Sequence, residues 1–317
     1  MTTDTLSPTA SPSRHLRVGS DGMRFSTAET IKHVVLILGA LIVLMPFYVM
    51  VSYSLKSPAE IMSTSLAFLG DQTPFLDQFC VKSGRPEADC MRSAIEYNYL
   101  TAFTEAPLLR YLLNGVIVTA SIFLIQIVVA LPCAYALAKL RFWGREFIFA
   151  MVLFCLLIPV HAIALPLYIM LAEVGLTNSY AALVIPWTIS VFGIFLMRQF
   201  FMTVPDDLID AARMDGMSEF LIVWKVMLPT AVPALLAFGI FSVVAHWNDY
   251  FWPRNVITGD RDLFTPPLGL REFRAGVEGN DFGPMMATAT VIVTPLIVAF
   301  LIAQRRFIEG ITLSGMK

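Results

Sequence analysis

Charge is what this sequence has least of. Asp, Glu, Lys and Arg supply 15% of its 317 residues, whereas apolar and aromatic types supply 57%. Soluble globular chains sit nearer about 25% and about 45–50%. That imbalance excludes an ordinary soluble fold and implies a chain embedded in lipid. A surplus of positive charge is missing as well: 22 Lys and Arg face 24 Asp and Glu, a formal net charge of −2. With no basic excess to meet phosphate, a nucleic-acid partner is excluded.

Cysteine is scarce too. Four cysteines are too few for a disulfide scaffold and none forms Cys-x-x-Cys, so no structural zinc, dithiol redox centre or other metal site is expected. Cys133 and Cys155 fall in apolar runs and read as small buried hydrophobes. Cys80 and Cys90 lie in a polar segment with nine residues between them. A disulfide there needs an oxidising compartment and a short Cα separation, which the sequence leaves open.

Catalytic motifs are absent. The chain has no Gly-x-x-x-x-Gly-Lys-Ser/Thr, Gly-x-Gly-x-x-Gly, His-Glu-x-x-His or Gly-x-Ser-x-Gly, so it is expected to be no enzyme and to bind no nucleotide or cofactor itself. Its apolar stretches also lack the string of paired ionisable groups typical of an ion-coupled carrier.

What the chain has is six long apolar windows, at 34–53, 112–138, 147–171, 181–201, 232–252 and 285–303. Each approaches the about 20 residues that cross a bilayer as a helix. Backbone polar groups find no water in hydrocarbon, so an all-α, polytopic membrane protein with six transmembrane helices is expected. The organisation expected is a Ser/Thr/Pro-rich disordered tail over 1–28, a first span within 29–55, a long loop over 56–111, a five-helix core over 112–304 and a tail over 305–317. The first window exceeds the core of a signal peptide and reads as a retained span.

Six spans place both termini on one side. Arg14, Arg17, Arg24, Lys32, Lys139, Arg141, Arg145, Arg198, Arg213, Lys225, Arg305, Arg306 and Lys317 then share that side, and the opposite side carries Lys and Arg more thinly over longer loops. The positive-inside tendency makes the shared side cytoplasmic. Trp187, Trp247, Tyr250 and Trp252 fall near window ends, where an interfacial aromatic belt accounts for them.

The ionisable groups nearest the membrane interior are His161, His246 and Asp249. His161 stands between Pro159 and Pro166, in a helix expected to break there. It either lines a watery path or, as the simpler reading, bonds a carbonyl freed by proline. Snorkelling to the interface explains His246 and Asp249. A proton-coupled secondary carrier using these three groups is the alternative function.

The segment 203–229 reads as two short helices. Thr203 with Asp206 three residues on is a weak capping box, and Pro205, Asp206 and Asp207 suit a helix start. Gly216 permits the left-handed turn that ends the first helix, and Ser218 caps the second. Phe220, Val223, Trp224 and Met227 then form one apolar face, which Pro229 terminates. Either the rest of the bundle or a separate protein must cover that face.

Asp210-Ala211-Ala212, then Asp215-Gly216, then Leu228-Pro229 resembles the Glu-Ala-Ala loop of permease subunits in bacterial binding-protein-dependent ABC importers. Supporting stretches are Asn114, Ala134-Tyr135-Ala136-Leu137-Ala138 with Arg141-Phe142, and Ile158-Pro159. Leu165-Pro166-Leu167-Tyr168, Gly175-Leu176-Thr177-Asn178, Trp247-Asn248-Asp249 and Gln304-Arg305-Arg306-Phe307 add to them. The likeness runs from span two onward and is nearest the inner permease of the carbohydrate, maltose-type branch. Asp210 departs from the family's usual Glu by one methylene, and the long first loop and tail fall outside the likeness.

The resemblance implies a type I ABC importer permease fold in the bacterial inner membrane, acting by alternating access. It implies a second permease subunit, a dimer of ATPase subunits that use ATP and Mg, and a periplasmic solute-binding protein. Docking on the ATPase would fall to Asp210, Ala211, Ala212, Asp215, Gly216, Phe220, Val223, Trp224, Met227, Leu228 and Pro229. Asp210 would meet a basic residue there. The cargo implied is a sugar or related polyhydroxy solute, with Gln126, His161, Tyr168 and Asn248 as candidates for its path; span-to-span hydrogen bonding is the plainer use of Gln126, Tyr168 and Asn248.

Overall fold

The structure is a computed structural model that describes residues 27–63, 67–274 and 282–314. The expected tail therefore lies outside the described residues except for Thr27 and Ala28, which open the first helix. That helix, α1 (Thr27–Ser54), runs uninterrupted through Pro46. Residues 27–47 belong to a unit of their own, and from Val34 onward they are apolar on all sides as a lipid-embedded helix must be.

The second unit begins at Tyr48. The polar segment expected as a long loop is built instead from short elements: α2 (Pro58–Met62), a strand β1 (Phe75–Leu76), α3 (Gln78–Lys82), a strand β2 (Met91–Arg92) and α4 (Ala94–Thr104). The strands pair antiparallel, Phe75 with Arg92 and Leu76 with Met91. Ser57 and Glu60 close a capping box on α2. Partial burial is the largest single influence on the Glu60 carboxyl and works to raise its pKa, but the bonds from Asp71 N, Ser57 N and the Ser57 hydroxyl together outweigh it and hold the group below the usual carboxylate range. Asn98 of α4 donates to the carbonyls of Ser54 and Lys56, satisfying the end of α1.

The axis of the unit is α5 (Leu108–Lys139), 32 residues and so about 48 Å long at about 1.5 Å per residue. After it come α6 (Arg145–Leu156), α7 (Val160–Glu173), α8 (Tyr180–Val184) and α9 (Val191–Thr203). They are followed by α10 (Asp206–Met214), α11 (Glu219–Ile222), a π-helical turn (Val223–Met227), α12 (Leu228–Thr230) and α13 (Val232–Trp247). The chain closes with α14 (Phe251–Val256), α15 (Pro266–Gly269) and α16 (Phe282–Ser314). Helices α9 and α13 pack on α5, α6 on α9, and α4 and α13 on α16. Gly193 lets α9 approach α13, for a Cβ there would stand 2.4 Å from the Phe238 ring.

Among the described residues four helical stretches, α1, α5, α8 through α9, and α16, are long and apolar enough to cross a membrane, and up to six if each bent pair counts as one span. The third and fifth windows are not straight. Between α6 and α7 the axis turns by 99°, and between the helix ending at Thr230 and α13 by 86°. Pro159 causes the first break: it has no N–H for the preceding turn and pushes Ile158 out of helical geometry. The last window continues as helix through Ser314, past the boundary at 304.

Two apolar clusters divide the unit along α5. Leu108, Tyr111, Val118 and Ile122 join a cluster with Trp252, Val256, Phe264 and Leu268. At the other end Leu131, Ala134 and Tyr135 join Met197, Phe201, Ile209, Ile222, Val223 and Met227. Arg198 is buried between α9 and α5, donating to Leu137 O at 3.1 Å with its guanidinium 3.6 Å from the Phe149 ring centroid.

Candidate functional site

The segment that carries the sequence signal forms an elbow outside the long helices. Pro205 fixes the backbone (φ −58°) that starts α10. The capping box expected from Thr203 does not form, because α9 runs through Thr203 and its hydroxyl turns back to Phe200 O. Gly216 takes φ +78°. Met217 N bonds Ala212 O and Gly216 N bonds Arg213 O, the paired bonds of a Schellman motif. Met217 packs back on the cluster that holds Ala212, completing it. Ser218 Oγ accepts from Leu221 N and starts α11.

Pro229 does not end the second helix. A proline at this place takes away the donor that Lys225 O would receive, and the chain absorbs the loss one turn earlier. It winds Val223–Met227 as a π turn, Leu228 N reaching Val223 O, and continues to Thr230. The bend into α13 follows at Ala231.

The apolar stripe also divides differently from the single face expected. Val223 and Met227 are buried in this chain's own cluster at 1% and 0% exposure, whereas Phe220 is 64% exposed. Trp224 is half-buried, its ring 6.0 Å from that of Phe220. The π turn redirects the residues beyond Ile222, so spacing of 3.6 overestimates the exposed face. Met214 and Leu208, both exposed, extend it instead. Asp210, Ala211, Asp215 and Pro229 are exposed, Ala212 is buried and Leu228 half-buried.

Charged side chains tie the elbow together. Arg213 Nη1 donates to Asp210 at 2.9 Å and Arg213 Nε to Glu219 at 2.8 Å, joining the end of α10 to the start of α11. The Glu219 bond, followed by that to Asp210, raises the Arg213 pKa further and keeps it cationic. Tyr135 of α5 donates to Glu219. Lys139 Nζ donates to Asp206 Oδ1 and to Val204 O, each at 2.6 Å. Lys139 holds the Asp206 carboxyl below the usual carboxylate range. Sequence reasoning missed Tyr135, Lys139, Arg213 and Glu219 as partners. The one trace is the i, i+4 spacing of Tyr135 and Lys139, and the helix supplying their partners is remote in sequence.

The path candidates do not converge as a group. Gln126 is buried, donating to Trp187 O at 2.7 Å and accepting from Ser242 Oγ at 2.6 Å, with His246 Nε2 at 3.3 Å. It fastens three segments to one another. His161 sits at the break after Pro159, but its ring meets Phe251 edge-on at 4.5 Å in place of the expected carbonyl. Tyr168 is half-buried against the apolar cluster. Asn248 turns back to Val244 O at 2.9 Å. Asp249 accepts from Trp252 N in the first turn of α14. Among the described residues no hydrogen bond connects His161, His246 and Asp249, and no group of acidic, His and Cys side chains could hold a metal ion.

Two expectations about single residues change. Trp247 and Trp252 are internal, donating to Ile292 O and Ala182 O, because buried indoles seek an acceptor; neither belongs to an aromatic belt. Cys155 is exposed on α6, and Cys133 is half-buried. Cys80 and Cys90 are bonded to each other, Cα to Cα 5.6 Å, beside the β1–β2 pair.

Comparison with known proteins matches residues 126–312 to the family described as binding-protein-dependent transport system inner membrane component. The chain is 33% identical over 246 residues to the arabinooligosaccharides transport system permease protein AraQ of Halalkalibacterium halodurans, covering 74% of this chain and 88% of that one. It is 35% identical over 207 residues to the sn-glycerol-3-phosphate transport system permease protein UgpE of Shigella flexneri, covering 65% and 73%. The crystal structure of a bacterial ABC transporter involved in the import of the acidic polysaccharide alginate matches with a TM-score of 0.71 at 22% identity, over 89% of this chain and 99% of that chain. This last likeness shows the fold.

Proposed function

Since this chain belongs to the family of inner membrane components of binding-protein-dependent transport systems, a multi-pass, non-enzymatic transport subunit, we propose that its elbow is the docking point for a separate ATPase. The observation that carries this reading is the elbow's construction. Asp210, Met214 and Phe220 project from a turn pinned by Gly216, while Val223 and Met227 root it in the bundle. An exposed apolar and acidic knob on a fixed base suits a groove with apolar walls and a basic rim.

In this reading two ATPase subunits, using ATP and Mg, close and draw together the elbows of this chain and of a second permease subunit. The spans then tilt to open toward a loaded solute-binding protein. Coupling requires that ATP and the binding protein both favour the outward-open state. Both termini and the elbow lie in the cytoplasm, consistent with the Lys and Arg distribution. The Cys80–Cys90 disulfide fits an oxidising compartment on the other face. The solute is a sugar or related polyhydroxy compound, the class named for the arabinooligosaccharide and glycerol phosphate relatives.

The test is reconstitution of the purified complex in proteoliposomes. Uptake is expected only with ATP and the ATPase subunit present, and Phe220→Asp is expected to reduce the ATPase recovered with this chain about tenfold, the loss of roughly 1.4 kcal/mol of anchor contact. Uptake by this chain alone, driven by a pH gradient, would overturn the reading.

A further inference from the structure

The elbow touches α5 in two ways. Most of the contact is apolar: Ile209, Ala212, Ile222, Val223 and Met227 lie in one cluster with Leu131 and Ala134. Apolar contact is non-directional and resists sliding weakly. The remainder is two directional attachments, made by Tyr135 and Lys139, one turn apart on the same face of α5.

These attachments grip defined points. Lys139 holds Asp206, the first residue of α10, and Val204 O just before it. Tyr135 holds Glu219, the first residue of α11. Arg213 bridges the two helices through Glu219 and Asp210. Both helices are therefore fixed at their starts to one stretch of α5 and to each other. The Tyr135 phenol is buried in the apolar cluster at 2% exposure, so sliding the elbow would leave its hydroxyl unpaired there.

We propose that Tyr135 and Lys139 are positioning residues that latch the elbow to α5, so that a force applied to the elbow moves the Lys139 end of α5 with it. This rests on the reading that an ATPase pushes the elbow. The latch would set how much transport each ATP delivers, and the exposed knob whether the ATPase docks.

The experiment uses the complete importer, purified with its partner subunits and reconstituted. It measures solute taken up per ATP hydrolysed, the stimulation of hydrolysis by loaded binding protein, and subunit stoichiometry. Tyr135→Phe and Lys139→Met are expected to keep the ATPase bound while uptake per ATP falls about tenfold, within the range of coupling effects between sites. Lys139→Arg, which keeps charge and donors, is expected to restore the ratio to about that of the unaltered complex. An unchanged ratio in Tyr135→Phe and Lys139→Met would overturn the latch and leave the docking reading standing. Loss of the ATPase subunit from these variants would overturn it too, placing the residues in assembly. Uptake without ATP by the unaltered complex would instead overturn the functional reading. Should Lys139→Met fail to insert, Tyr135→Phe, which removes a single oxygen, decides alone.

Discussion

The two ends of α5 differ in which bonds predominate. At the Leu108 end, Asn114 donates to the carbonyls of Asp262 and Phe264 and accepts from Tyr180, while Arg110 donates to Asp262 O and pairs more loosely, at 3.5 Å, with the Asp262 carboxylate. At the Lys139 end, Lys139 as a cation and Tyr135 as a neutral phenol meet carboxylates on the elbow, and Lys139 also reaches Val204 O. Side chain to main chain bonds, which predominate at the first end, fix a helix to its neighbour's backbone without depending on that neighbour's side chains. Cation to carboxylate bonds are stronger singly, yet at a surface they yield to salt and pH. In the proposed reading the first end is a joint, and the second an attachment that would hold register as the elbow is pushed.

The largest effect expected is at the turn. Gly216→Val forces a β-branched side chain to φ +78°, so uptake should vanish in a flux assay while fractionation shows normal insertion. Normal flux would show that the turn does not govern the attachment. Next is Asn114→Ala, which leaves the buried Phe264 carbonyl without this donor and should cost about 1–3 kcal/mol, while Asp262 O keeps its bond from Arg110. The thermal midpoint should fall by the same amount at low and high salt. Lys139→Met should give a smaller fall that shrinks as salt rises. Equal salt dependence at both ends would erase the distinction.

The smallest effect is that of pH at Asp206. Its carboxyl is held low by Lys139, so the pair contributes stability above the ordinary carboxylate range and loses it as pH falls through the depressed value. The difference in melting between the unaltered chain and Asp206→Asn should be present at pH 7 and shrink progressively as pH falls below the ordinary carboxylate range near 4. The difference for Asn114→Ala should persist. A gap for Asp206→Asn that persists in acid would show that Lys139 is not its cause.

Features set by a single residue's covalent chemistry were the ones sequence reasoning placed correctly. Gly216 and Ser218 mark the turn and cap because only glycine accepts that φ cheaply and a serine oxygen reaches the third residue on. The break at Pro159 follows from a missing donor. Misplaced features depended on neighbours. Pro229 was expected to stop a helix, but a π turn took up its effect. Thr203 was expected to cap, but α9 extended through it. Trp247 and Trp252 were placed at an interface, yet Ile292 O and Ala182 O draw them inside.

Sequence by itself determined that the chain is a bundle of membrane-crossing helices with an elbow, because hydrocarbon demands helices and the elbow's glycine and caps are local. Tertiary structure alone decided which face of the elbow points outward and that Tyr135 and Lys139 hold it. Those outcomes depend on groups distant in the chain meeting within hydrogen-bond reach, and helical periodicity along one segment carries no information about its partner.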